Sequence, residues 1–184
     1  MSKKAKAAPQ YTTACIDWER RILAGESLIT MPTLFATEAR AGMRVFNSLT
    51  LPDVPGLPPL AKAAPQWARD LVSVLLGSYD EATGVRHLQE VLLLVSKKNG
   101  KSSYAGAGML TALIRNPREL AEFVIAAPTI EAANNSYAIV RGMVRNDAEL
   151  ASLLHIKDNI KTIEHRETGA QLKILASDAN VVAG

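Results

Sequence analysis

The sequence has one cysteine, Cys15, in 184 residues, and 5% aromatic residues. A lone cysteine excludes an internal disulfide and a cysteine-built zinc site, and its natural setting is a reducing cytoplasm. Long apolar runs are also missing. Val91–Val95 is a run of five residues, far short of the roughly 18 apolar residues a membrane span needs. Met1–Gln10 is basic, but the apolar stretch of a secretory signal does not follow it. The three histidines, His87, His155 and His165, are too scattered to suggest a metal site. No local signature suggests a Ser/His/Asp triad.

What is present fits a chain with a core of ordinary size. Hydrophobic residues make up 48% and charged residues 21%, as in globular domains. The net charge is +3 with a pI near 9.1. This permits contact with nucleic acid without requiring it. Part of the excess lies in Lys3, Lys4 and Lys6, and part in Lys97, Lys98 and Lys101.

Residues 1–10 read as a disordered basic tail and 11–50 as an N-terminal helical segment. Within the latter, Cys15, Trp18, Ile22 and Leu23 recur at helical spacing over Tyr11–Gly25, and Trp18 is expected in the core. Pro32–Leu49 reads as a second helix. Five prolines between Leu51 and Pro65 mark residues 51–64 as a linker or extended arm. Residues 65–184 read as the core domain. A helix from Pro65 to about Leu76 precedes Leu88–Val95, whose near-continuous apolar run predicts a strand buried on both faces. Next come a polar loop, a helix from Lys101 to about Arg115 and a second buried strand over Glu122–Ala127. A helix from Thr129 to about Arg145 follows, then a helical turn or two between Asp147 and Leu154. Strands over Ile160–His165 and Gln171–Ala176 close a hairpin through Glu167-Thr168-Gly169. The order strand, helix, strand, helix implies an α/β fold with a parallel sheet and flanking helices.

The chemistry lies in the loop after the first core strand, Val95-Ser96-Lys97-Lys98-Asn99-Gly100-Lys101-Ser102. It matches the last three positions of the phosphate loop G-x-x-x-x-G-K-[ST], with Val95 in place of the first glycine. A helix N-terminus offers unpaired amides and positive dipole to an anion. Gly100 lets the backbone approach a phosphate. Lys101 is placed to reach β- and γ-phosphates as a point charge. The Ser102 hydroxyl is a hard ligand suited to Mg²⁺, and Lys97 and Lys98 add charge. A bare Gly-Lys-Ser is a weak signal. A buried strand before it and a helix after it are the context the mechanism requires, and the alternative is a basic surface turn.

The stretch LLLVSKKNGKSSYAGAGMLTALI resembles the nucleotide-binding segment of phage large terminase subunits. In that family the first glycine is commonly absent and a basic residue, usually arginine and proposed to act on the γ-phosphate, precedes the loop's centre. Lys97 takes that place here, without the planar bidentate contact of a guanidinium. Pro65-Gln66-Trp67 is similar to the family's Pro-Trp-Gln with the last two residues exchanged, which makes Gln66 the candidate reader of adenine. Gly84-Val85-Arg86 resembles a Gly-x-Arg found between these motifs. Ala127-Pro128-Thr129-Ile130-Glu131-Ala132-Ala133 resembles the segment after the second strand, with Ala132-Ala133 where the family often has Gln-Ala.

The resemblance implies a P-loop NTPase-like sheet preceded by N-terminal helices. It also implies ATP and Mg²⁺ as cofactors, with Ser96, Lys97, Lys98, Asn99, Gly100, Lys101 and Ser102 at the nucleotide and Lys97 and Lys101 as the catalytic pair. Double-stranded DNA, a small terminase subunit and a portal are the implied partners, with a homo-oligomer in the full-length protein, no membrane, and the bacterial host cytoplasm as the setting. The strand of four apolar residues followed by Asp-Glu that holds Mg²⁺ in such ATPases is missing. Asp178 lacks the right strand before it, and the nuclease domain would lie further on. The sheet is therefore expected to be incomplete: a split or decayed prophage gene, or a fragment, binding nucleotide weakly and hydrolysing little. Other expectations are a non-hydrolysing nucleotide-binding or interaction module, and another P-loop class. Arg141, Arg145 and Asn146 form a polar face that reads as solvated rather than as a DNA contact.

Overall fold

The structure is a computed structural model and describes residues 14–30 and 33–177. The basic tail, Pro32 and Asp178 lie outside the described residues. The elements are α1 (Trp18–Ala24), α2 (Ala36–Ser48), α3 (Leu60–Ala63), α4 (Gln66–Gly77), α5 (Lys101–Arg115), β1 (Glu122–Ala127), α6 (Ile130–Arg145), α7 (Ala148–Leu153), β2 (Leu154–Lys157), β3 (Thr162–His165) and β4 (Gln171–Ala176). A 3₁₀ turn spans Asp158–Ile160 between β2 and β3.

The α/β class and the flanking helices are as expected, but the sheet is mixed. Its order is β1-β4-β3-β2. β1 runs parallel to β4, in register from Glu122 against Gln171 to Ala127 against Ala176. β3 is antiparallel to both β4 and β2. The parallel pair is thus formed by β1 and β4, with α6 in the intervening chain.

Leu88–Val95 is not a strand. It has no pairing partner among the described residues, and Leu92 and Leu94 are 88% and 87% exposed. Strand burial on both faces requires neighbours on both sides, and here β1 takes β4 instead. The run still alternates as an extended chain does: Val91 and Leu93 turn toward a groove that Leu71, Met109 and Phe123 also line.

Local signals explain several helix ends. Asn116 adopts extended backbone ahead of Pro117 and stops α5, as a residue before proline should. The Thr129 hydroxyl accepts from the Ala132 amide at 3.2 Å and caps α6. The Asp147 carboxylate accepts from the amides of Glu149 and Leu150 and caps α7. These caps satisfy amides that helix geometry leaves free. α2 starts at Ala36, just after Phe35, whose amide donates to the Gly77 carbonyl at 3.0 Å. α1 is shorter than expected and buries none of its residues; Trp18 is 50% exposed, not in the core.

The proline-rich stretch folds back on itself. The Leu51 amide donates to Pro58 and the Leu60 amide to Leu49, closing a loop whose Leu49, Leu51 and Leu60 are buried. Its last residues form the single turn α3, which starts after Pro59. Two glycines on helices set the packing distances. A Cβ at Gly106 of α5 would stand 2.9 Å from Val140 of α6, and one at Gly142 of α6 would stand 2.5 Å from Pro52 of the loop. The core joins Phe46, Leu49 and Leu60 to Leu110, Val140, Met143, Ile163 and Leu172. Each large apolar side chain buried there contributes about 1.5–3 kcal/mol.

Candidate nucleotide site

The loop Ser96–Gly100 leads directly into α5. Its shape is set by short-range bonds: the Asn99 side-chain amide donates to the Ser96 hydroxyl at 2.6 Å and to the Ser96 carbonyl at 3.3 Å. Lys98 and Gly100 both take left-handed backbone, φ 68° and 67°. Glycine adopts that conformation readily, whereas lysine does so at a cost. Gly100 occupies the N-cap position, and no side chain caps α5. The first amides of this fifteen-residue helix therefore keep their donors, at the positive end of the helix dipole. Lys97, Lys98 and Lys101 are exposed around them.

The candidate residues divide between two sides. Lys98, Asn99 and Gly100 border an open cavity of about 400 Å³, whose lining also includes the loop residues Asp53 and Val54 together with Pro65 and Trp67. Lys101 borders the apolar groove of about 510 Å³ between α4 and α5. Ser96, Lys97 and Ser102 are exposed and line neither. Gln66 is exposed at the start of α4. Its amide nitrogen donates to Asp70 at 2.7 Å and its amide oxygen accepts from Arg69 at 2.9 Å. Gln66 thus has both ends engaged on its own helix.

Three residues of this region escaped the motif. Ser103 lies one position beyond Gly-Lys-Ser; it is 7% exposed and borders the 400 Å³ cavity. Tyr104, four residues after Gly100, packs its ring against that glycine and meets Trp67 edge-on with centroids 5.7 Å apart. Asp53 lies in the proline-rich stretch, where the prolines drew the reading toward a linker. The helical i,i+4 relation of Gly100 and Tyr104 was the one available signal.

Other expected positions are structural. Arg86 donates to the Leu75 carbonyl at 2.7 Å and lies 5.6 Å from the Tyr79 ring centroid, fixing the turn at the end of α4. Arg141 and Arg145 are paired with Asp158, at 2.8 and 3.0 Å. The described residues contain no group of three or more His, Cys, Asp or Glu placed to hold a metal. None of their helices is long and apolar enough to cross a membrane.

No protein-family model matches the chain, and no curated protein matches it. Among solved structures the fold is similar to that of the HK97 bacteriophage large terminase, with a TM-score of 0.63 over 76% of this chain at 18% identity. The match covers 27% of that protein, so the chain spans about a quarter of its length. The fold is thus the one that the resemblance at Leu92–Ile114 and Pro65–Trp67 implied.

Proposed function

We propose that this chain is the ATP-binding part of a phage large terminase, a piece of the motor that drives double-stranded DNA into procapsids. The observation that carries the reading is Gly100 in left-handed backbone at the uncapped start of α5, behind a loop of lysines, in a terminase-like fold. Uncapped amides, a side-chain-free approach at Gly100 and exposed ammonium groups suit a polyphosphate.

In this reading the amides of the Ser96–Ser102 loop and the lysines Lys97, Lys98 and Lys101 hold ATP. Lys97 and Lys101 act at the β- and γ-phosphates, and the Ser102 hydroxyl is the ligand to Mg²⁺. Bound Mg²⁺ would supply charge neutralisation at the terminal phosphates. Asn99 holds the loop closed through Ser96. Gln66 contacts the adenine once it leaves Asp70. A small terminase subunit, a portal and further copies of the protein are the partners of the whole protein, working in the bacterial cytoplasm.

A module that binds nucleotide without turnover is the second reading. The carboxylate beside the loop, Asp53, comes from the preceding proline-rich loop and not from the end of a sheet strand, where a hydrolytic site places its metal ligand. Calorimetric titration with Mg²⁺-ATP tests the site, with Lys101→Ala as the comparison. The expected result is at least a tenfold loss of affinity in the variant. Equal binding by both proteins would remove the phosphate-loop assignment.

A further inference from the structure

We infer that the 400 Å³ cavity beside the loop is the nucleoside subsite of the proposed nucleotide site, and that Asp53 reads the ribose hydroxyls. The inference rests on the functional reading above and extends it to a part of the site outside the motif. The volume lies within the range of small-molecule pockets, roughly 300–1,000 Å³. Its lining is chemically mixed. Lys98 and Gly100, at the start of α5, share it with Asp53 of the proline-rich loop. A ligand anionic throughout would be repelled by Asp53, and a purely apolar one would leave both charges without a partner. The combination suits a molecule that carries both phosphate and neutral hydroxyl donors. Trp67 and Tyr104 supply the apolar surface that a flat base needs.

Two further observations point to a ligand. Ser103, 7% exposed on the cavity wall, has no side-chain hydrogen bond among the described residues, and its hydroxyl oxygen keeps access to solvent. Asp53 is exposed and has no hydrogen bond or ion pair among the described residues, so its carboxylate is open to a ligand's donors. A carboxylate accepting from ribose hydroxyls is a recurrent means of holding a nucleotide. Ser103, beside Gly100, is placed to donate to the phosphate nearest the ribose.

The test compares the full chain's affinity for Mg²⁺-ATP and for Mg²⁺-2′,3′-dideoxy-ATP, which lacks both hydroxyls. The wild-type protein should prefer ATP by about tenfold, the size expected for hydrogen bonds to a charged group. Asp53→Ala should bring that ratio close to one while leaving affinity for the dideoxy nucleotide unchanged. Asp53→Asn should give an intermediate ratio, and Ser103→Ala should weaken both nucleotides alike. An unchanged ratio in Asp53→Ala overturns the subsite, as does equal loss of both nucleotides in that variant. If Lys101→Ala abolishes binding while Asp53→Ala keeps the ratio, the subsite alone fails. If wild type binds neither nucleotide, or Lys101→Ala binds as wild type does, the functional reading fails and takes the subsite with it.

Discussion

The ring of Tyr104 lies directly against Gly100: a Cβ built at residue 100 would stand 2.8 Å from Tyr104 Cε2 and 3.1 Å from its hydroxyl oxygen. The N-cap of α5 is therefore constrained twice, by left-handed backbone and by an aromatic side chain of the same helix's first turns. Gly100→Ala has to meet both. The left-handed conformation costs a non-glycine residue about 1–2 kcal/mol, and Tyr104 must move from its contacts with Trp67 and the Ala63 carbonyl. The variant should lose about 1–3 kcal/mol in denaturant unfolding and bind ATP more weakly than its stability loss explains. Wild-type stability in Gly100→Ala would mean that the loop does not hold this conformation.

The exposed Leu88–Val95 run makes a second, sharper contrast. Leu110 of α5 is fully buried, so Leu110→Ala should cost about 2–5 kcal/mol. Leu92 is 88% exposed, so Leu92→Asp should stay within about 0.5 kcal/mol of wild type. A charge at a central strand position would instead unfold the protein. Urea denaturation of the two variants separates these outcomes, and an unfolded Leu92→Asp would restore the buried strand.

Asp158 ties α6 to the turn before β3, and this gives the fold a pH-dependent element. The Tyr137 hydroxyl donates to Asp158 at 2.8 Å, and Arg141 and Arg145 pair with the same carboxylate. The Tyr137 hydrogen bond first, then the two guanidiniums, hold the Asp158 carboxyl below its usual range. A carboxyl depressed in the folded state adds stability that is present above its unfolded value near 3.8 and lost as pH falls through the lower folded value. Asp158→Asn should therefore lower the melting temperature at pH 7 and have progressively less effect as pH falls below the unfolded value of 3.8. Tyr137 shows the opposite sign. Burial, then the bond to Asp158, pushes its phenol up to about 12. That contribution is complete below the ordinary value of 10.0 and disappears as pH rises toward about 12. Melting curves of wild type, Asp158→Asn and Tyr137→Phe across pH 2–12 check both limbs; parallel profiles in all three would show that the cluster contributes nothing.

The helices from Lys101 and Thr129 and the strand Glu122–Ala127 were legible because their signals are local: caps, a proline stop and apolar periodicity. The β3–β4 hairpin was legible from Gly169, which takes the left-handed turn position at φ 67°. β2 was not, since four residues with His155 and Lys157 among them are too short to show a period. Leu88–Val95 misled because an apolar run records what a segment is suited to pair with, not which neighbour is available. In the candidate site, the loop followed from Gly100-Lys101-Ser102. Asp53 did not, since its place in the same cavity as Lys98 depends on how the loop from Leu49 to Leu60 packs against α6. That packing is a tertiary fact, secured where Pro52 meets the bare Cα of Gly142.

The N-terminal segment is bound into the same core as α5, the helix that follows the candidate loop, and this predicts how the chain responds to being shortened. Phe46 and Leu49 are 0% and 1% exposed and belong to one cluster with Leu110 and Met143. A Cβ at Gly42 of α2 would stand 2.4 Å from Leu76 Cδ1 of α4, so the two helices pack in close contact. At the other end of α2, Glu38 accepts a two-pronged pair from Arg115 of α5, at 3.0 and 2.7 Å. The exposed pair alone is worth about 0.2–1 kcal/mol. Removal of Phe46 by itself would cost about 3–5 kcal/mol, comparable to the whole stability of a marginal domain. A chain lacking residues 1–50 should therefore lose its cooperative thermal transition and its near-ultraviolet circular dichroism, whereas Glu38→Ala should retain both. A sharp transition in the shortened chain would show that residues 51–184 carry a core of their own.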